Sequence, residues 1–171
     1  MIMKKLLFVF AMMLVGTTAT FAEEGDKYLG INFSTGFFGE NKDGDELIHE
    51  SFTNFGLGVK GQYEVREHLR LEAAVNYFFK AKEFSMWDFN LNVHYLVPLN
   101  DKCNVYPIIG PSLMTAKGYG FFEFKTKFGV NAGAGIEYKL NDEIKVNCDF
   151  KYQHFNDWGH PVLAIGFCYQ L

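Results

Sequence analysis

Trp87-Asp88-Phe89-Asn90-Leu91-Asn92-Val93-His94-Tyr95 alternates without a break, apolar or aromatic at every odd position and polar at every even one. A strand turns successive side chains to opposite faces, so this stretch is a β-strand with one apolar and one polar face. Three more segments follow the plan when read at every second residue: Phe55-Leu57-Val59-Gly61-Tyr63, Phe128-Val130-Ala132-Ala134-Ile136-Tyr138 and the shorter Leu163-Ile165-Phe167-Tyr169. Between these apolar positions stand polar ones, among them Lys60, Gln62, Asn131 and Glu137. Each run closes on tyrosine, and all but the last open on an aromatic ring. Amphipathic rings at both ends of an apolar band suit a strand that crosses a membrane, because they settle at the two lipid–water interfaces.

At 171 residues the chain has room for one domain. Its first 22 residues read as a segment apart. Lys4 and Lys5 precede an apolar run from Leu6 to Val15; small residues then lead to Ala22, and Glu23-Glu24 follow. This order predicts a secretory signal peptide over residues 1–22, cut between Ala22 and Glu23, with a barrel domain over 23–171. The apolar run falls short of the roughly 20 residues that a helical span needs. No cysteine follows it to accept a lipid.

The remainder has no long apolar stretch, which excludes helical spans, yet 49% of the chain is hydrophobic and 18% aromatic. Such a composition is too aromatic for disorder and too finely alternated for helices. The net charge of -4 comes without a basic block, so no nucleic-acid partner is expected. The three cysteines do not suggest a bridge. Cys148 shares the apolar face of its strand with Ile144, Val146 and Phe150, whereas Cys168 falls on the polar phase of the last one. They read as free thiols, buried or lipid-facing.

The pattern places eight strands at about 27–37, 55–63, 69–79, 87–97, 103–114, 124–140, 144–152 and 162–171. The fifth is the least regular, because Pro107 and Pro111 lack donors and belong near an edge or bulge. Tight turns follow the second, fourth and sixth strands. Longer polar links follow most of the others, notably the acidic 39–51 (Glu40, Asp43, Asp45, Glu46, Glu50), 115–122 and 154–160. The tyrosines therefore gather at one rim and the loops at the other. An even-numbered meander also brings both termini to the short-turn rim.

A bilayer offers no water to satisfy a sheet edge, so strands cross it only as a closed ring. The expected fold is all-β: an eight-stranded antiparallel up-and-down transmembrane β-barrel. Nine residues tilted by about 40–45° cross the roughly 25 Å apolar band of such barrels. The polar phase then faces inward, bringing Lys60, Arg70, Lys80, Lys139, Lys145 and Lys151 together with Glu64, Glu72, Asp88, Glu137 and Asp149. Eight strands leave a lumen only wide enough for side chains, so a packed, ion-paired interior is expected rather than a continuous channel. Alternation alone does not say which face is inside. A soluble periplasmic barrel of lipocalin type, with the apolar face lining a cavity, is the alternative. The tyrosines at strand ends and the lack of a Gly-x-Trp opening argue against it.

The whole region after the signal peptide resembles the small outer-membrane β-barrel superfamily of Gram-negative bacteria: outer-membrane protein X, the outer-membrane protein A transmembrane domain and the opacity-type proteins. The resemblance is one of pattern, and its most specific part is the last strand. There Gly166, Tyr169 and Leu171 match a C-terminal insertion signal that, in the family, the barrel-assembly machinery reads. Leu171 replaces the usual phenylalanine, and Ala164 stands where a polar residue is common. The resemblance implies a monomer in the outer membrane with both termini periplasmic. Its partners would be outer-membrane lipid and lipopolysaccharide, with chaperones and the assembly machinery during insertion. Its implied role is structural, adhesive or surface-interacting, and porin is a name used in the family.

Some barrels of this size modify lipid A, which requires Ser, His and an acid on one outward patch. Here Ser34 and Ser112 point inward by parity, Ser51 and Ser85 lie at loop margins, and His94 is on the polar phase. The residues therefore predict no enzyme and no cofactor. His154, Asp157 and His160 read as solvated loop residues rather than metal ligands. The acidic first loop reads as solvated, with divalent-cation bridging to lipopolysaccharide or contact with a host surface as the sharper possibility.

Overall fold

The computed structural model describes residues 25–39, 52–66, 68–81, 84–117, 125–156 and 158–171, the side chain of Trp158 excepted. The strands are β1 (Lys27–Phe38), β2 (Phe52–Arg66), β3 (Leu69–Ala81), β4 (Phe84–Tyr95), β5 (Val97–Asn100), β6 (Cys103–Lys117), β7 (Lys125–Lys139), β8 (Ile144–Phe155) and β9 (Trp158–Gln170). β5 continues β4 beyond Leu96, and both pair with β6. Neighbours are antiparallel throughout, and the ring closes through β1 against β9 and β4 against β6. Eight staves in chain order form a closed barrel. The predicted signal peptide with its expected cleavage pair Ala22 and Glu23, and most of the first loop, fall outside the described residues.

Exposure settles which face is which. Val59, Phe55, Leu29 and Phe128 stand 57, 65, 57 and 64% exposed, while Lys60, Arg70, Asp88 and Glu137 are buried. A soluble barrel has the opposite distribution, since an apolar belt this large is unstable in water. The lipocalin alternative is thereby overturned. A ring of tyrosines (Tyr95, Tyr138, Tyr169) marks the short-turn end of the belt, and Phe37, Phe79, Trp87 and Tyr152 mark the other.

The short turns have a local cause. Asn100 Oδ1 accepts hydrogen bonds from the amides of Lys102 and Cys103 (3.0 and 2.9 Å). Asn141 Oδ1 does the same for Glu143 and Ile144 (3.0 and 2.6 Å). Each side chain replaces a turn's missing backbone partner. The Leu171 amide donates to Lys27 O at 2.8 Å, so the last residue and the start of β1 share this rim.

Three local expectations need correction. β6 is a continuous strand with unshifted register against β7, and Pro107 and Pro111 lie within it. Their effect falls on the other side. Pairing with β4 lapses between Asn90–Ser112 and Val93–Ile109, opposite Pro111, and β4 ends at Tyr95, level with Pro107. Next, most of 154–160 is strand instead of loop: β8 reaches Phe155 and β9 starts at Trp158, while Asp157 lies outside the described residues. Finally, Lys80 and Lys139 sit exposed at strand ends instead of in the lumen.

Above the upper aromatic ring the alternation changes sign. Phe38, Phe78, Phe84, Met86, Met114, Ala116, Phe155 and Val162 pack together inside, with Phe52 against them. The outward positions at this level, among them Thr53, Thr126 and His154, are polar and exposed. Apolar-in and polar-out is the arrangement of a sheet standing in water. This end of the barrel is built like a soluble protein. The middle is built for lipid.

Candidate functional site

The lumen is a stack of side-chain layers, and its chemistry changes from one rim to the other. Nearest the short turns, Arg70 on β3 reaches across to Glu137 on β7 through Nη1 and Nη2, each 2.7 Å from a carboxylate oxygen. Its Nη2 also donates to Glu64 at 2.8 Å. This fork-to-fork geometry is the strong form of a charged hydrogen bond. Lys145 Nζ completes the layer, 3.5 Å from Glu64 and 3.6 Å from Glu137, and it lies over the Tyr28 ring.

One layer up, Lys60 Nζ donates to Asn147 Oδ1 at 2.8 Å and lies 3.6 and 3.8 Å from Glu72 and Asp149. Glu72 accepts from Gln62 and Asn92, and Asp149 from the Tyr106 hydroxyl at 2.6 Å. His94 is fully buried and stacked on Tyr106 at 4.8 Å, with its Nε2 3.8 Å from Glu72. That placement makes it a lumen residue, as its parity predicted.

Next come the amides. Asn90, Gln153 and Ser112 donate to the Asp88 carboxylate, and Asn131 joins them by donating to Asn90 Oδ1 and accepting from Gln153. The apolar cluster lies above them. There His160 stacks on Phe38 at 4.2 Å and on Phe155 at 6.1 Å. His154 is exposed on the outer face, so the two histidines do not converge. Among the described residues no group of three or more His, Cys, Asp or Glu could hold a metal ion.

The predicted insertion residues divide between the faces. Tyr169 is half exposed in the lower aromatic ring, and Leu171 is exposed beside Lys27. Gly166 points into the lumen, where a Cβ would stand 2.4 Å from Asn147 Oδ1 and 2.6 Å from Lys60 Nζ. A side chain there would displace the middle layer. The cysteines are free: Cys148 outward, Cys168 in the lumen and Cys103 half-buried. Ser34 and Ser112 are buried in the lumen, away from any outward catalytic patch. The apolar upper layer is a feature that the sequence reading does not anticipate. Its signal was present in Phe78, Phe84, Met86 and Met114, which share the parity of the polar phase.

Comparison with known proteins agrees with this architecture. The family profile described as outer membrane protein beta-barrel domain matches residues 8–170. No protein of curated function matches the sequence. Among solved structures, Neisserial surface protein A is similar with a TM-score of 0.71 at 15% identity, over 87% of this chain and 100% of that one. The attachment invasion locus protein Ail of Yersinia pestis gives 0.62 at 17%, with the same two coverages. Pseudomonas aeruginosa OprG gives 0.61 at 16%, over 87% and 97%. The profile spans nearly the whole sequence and these barrels share its fold; the chain belongs to the outer-membrane protein β-barrel family.

Proposed function

We propose that this outer-membrane barrel is a non-enzymatic, sealed monomer that acts through the surface presented at its loop rim. The observation that carries the reading is the unbroken stack inside: two ion-paired layers, an amide layer and an apolar layer. Such a filling gives a hydrated ion no ready path, because it would have to break buried charge pairs and then enter an apolar constriction. With transport disfavoured, the exposed loop end is where function resides. Its longest connection, residues 39–51, carries Glu40, Asp43, Asp45, Glu46 and Glu50. These acids suit contact with a host surface, or with lipopolysaccharide through divalent cations. Two fold relatives bear the names of an attachment protein and a surface protein, in keeping with an adhesive role.

In this reading the short-turn rim and both termini face the periplasm. Chaperones and the assembly machinery receive Gly166, Tyr169 and Leu171 during insertion. The test has two parts. Planar-bilayer recordings of the purified barrel are expected to show no large, steady conductance; a sustained open level would remove the sealed-lumen reading. Replacing residues 40–50 by a short turn should lower adhesion or serum survival of the host cell while the barrel stays inserted. Unchanged adhesion and survival would remove the loop role.

A further inference from the structure

Asp88 is fully buried, and among the described residues it forms no ion pair. The other buried carboxylates, Glu72, Glu137 and Asp149, each have a lysine or arginine within 4 Å. Lys151 lies on β8 two residues before Gln153, yet it makes no ion pair with Asp88. An anion in a low-dielectric interior needs a compensating positive charge. Asp88 receives neutral donors instead: Asn90 at 2.7 Å, Ser112 at 3.1 Å and Asn76 at 3.4 Å.

The Gln153 side chain shows where the missing charge belongs. Its Nε2 sits among five oxygen atoms: both Asp88 carboxylate oxygens at 3.1 Å, Asn90 Oδ1 and Asn131 Oδ1 at 3.0 Å, and Ser112 Oγ at 3.4 Å. An amide nitrogen has two protons, so it cannot satisfy five acceptors. Meanwhile Gln153 Oε1 is buried without a hydrogen-bond partner. A hydrogen-bond donor is surrounded by a shell of acceptors, and a spare acceptor stands beside it.

We propose that this layer is a monovalent-cation site, in which Asp88, Asn90, Ser112, Asn131 and Gln153 hold a desolvated ion of potassium size. One carboxylate matches one positive charge. Distances of 3.0–3.4 Å from the centre exceed the roughly 2.0–2.1 Å of magnesium sites and 2.3–2.6 Å of calcium sites. All five candidate ligands are hard oxygen donors. An ion entering the shell displaces the Gln153 nitrogen and lets Oε1 turn in as a ligand, so the excess of acceptors and the orphan Oε1 are resolved together. The apolar layer above and the ion pairs below screen the site from water. The ion is therefore a structural part of the lumen, acquired as the barrel closes.

The test uses the full barrel, refolded in detergent without alkali cations and then transferred to potassium, rubidium or N-methylglucamine chloride at equal ionic strength. Potassium is expected to raise the unfolding midpoint with the logarithm of its concentration once that exceeds Kd, by about 3 °C at a tenfold excess. Crystals grown in rubidium chloride should show an anomalous peak between Asp88 and Gln153. Asp88→Asn should abolish the potassium effect. If that variant does not fold, Ser112→Ala, which trims one neutral ligand, should move the onset of the midpoint rise to higher potassium. Equal midpoints in all three salts, an ordered water without anomalous signal, or a potassium effect undiminished in Asp88→Asn would each overturn the site.

Discussion

Arg70 and Glu137 face each other across the barrel from β3 and β7, joined by two hydrogen bonds of 2.7 Å. Neither strand neighbours the other in the sheet, so this contact braces the wall from within. Arg70→Met takes two hydrogen bonds from the buried Glu137, leaving it Lys145 at 3.6 Å and Asn104 at 2.9 Å, and should cost about 3 kcal/mol. The double replacement Arg70→Met, Glu137→Met should cost much less than the two single changes added together. Urea unfolding of the four proteins in lipid vesicles measures the difference as a coupling energy.

Val59 stands on the lipid face between the two aromatic rings, paired with Ile31 on β1 and Val75 on β3. Val59→Arg should destabilise the inserted barrel by about 2–4 kcal/mol. Thr126→Arg, above the upper ring and already exposed, should cost less than about 1 kcal/mol. Equal costs at the two positions would mean that the membrane boundary has been placed wrongly.

Gly110 lies where the β4–β6 pairing lapses. A Cβ there would meet the Leu91 carbonyl oxygen at 1.8 Å and Asn92 Cα at 2.8 Å. Backbone cannot yield as a side-chain tip can. Gly110→Ala should therefore force β4 and β6 apart and lower the folded fraction, seen as loss of the heat-resistant band on unboiled gels. Gly61→Ala, which meets nothing within 4 Å, serves as the control.

Phe84 is fully buried in the upper cluster, against Phe38 at 5.3 Å and Phe52 at 5.5 Å. Phe84→Ala should cost about 3–5 kcal/mol, in line with a large core truncation in a water-soluble protein. Phe79→Ala, half exposed on the outer face, should cost clearly less. Unfolding midpoints of the two variants make the comparison.

The middle of the barrel was legible because two solvents act on one strand: lipid selects every second residue and the lumen selects the rest. The 87–95 and 128–138 runs record that selection directly. Towards the loop rim the outer solvent becomes water, and the same rule gives the opposite reading. His154, Gln153 and Asn156 look like loop composition, yet His154 is the outer face of a strand and Gln153 its buried inner face. Parity alone points Lys80 and Lys139 into the lumen, but it weakens at the rims: Lys80 falls in the register shift between Phe78 and Ala81, and Lys139 is the last residue of β7. Lys60, Glu64, Arg70, Glu72, Glu137, Lys145 and Asp149 of the ion-paired layers are legible in the alternation, but their pairing is not. Arg70–Glu137 depends on the stagger of staves that are far apart in the ring, and alternation carries no information about stagger.

The ringed pack of Phe38, Phe78, Phe84 and Phe155 fastens the staves to one another beyond the point where lipid stops pressing on them. Whatever hangs from that collar is mounted on a stiff pedestal. In the surface role proposed above, a partner meeting that collar would find the strand ends already fixed, so none of the ordering cost would fall on them.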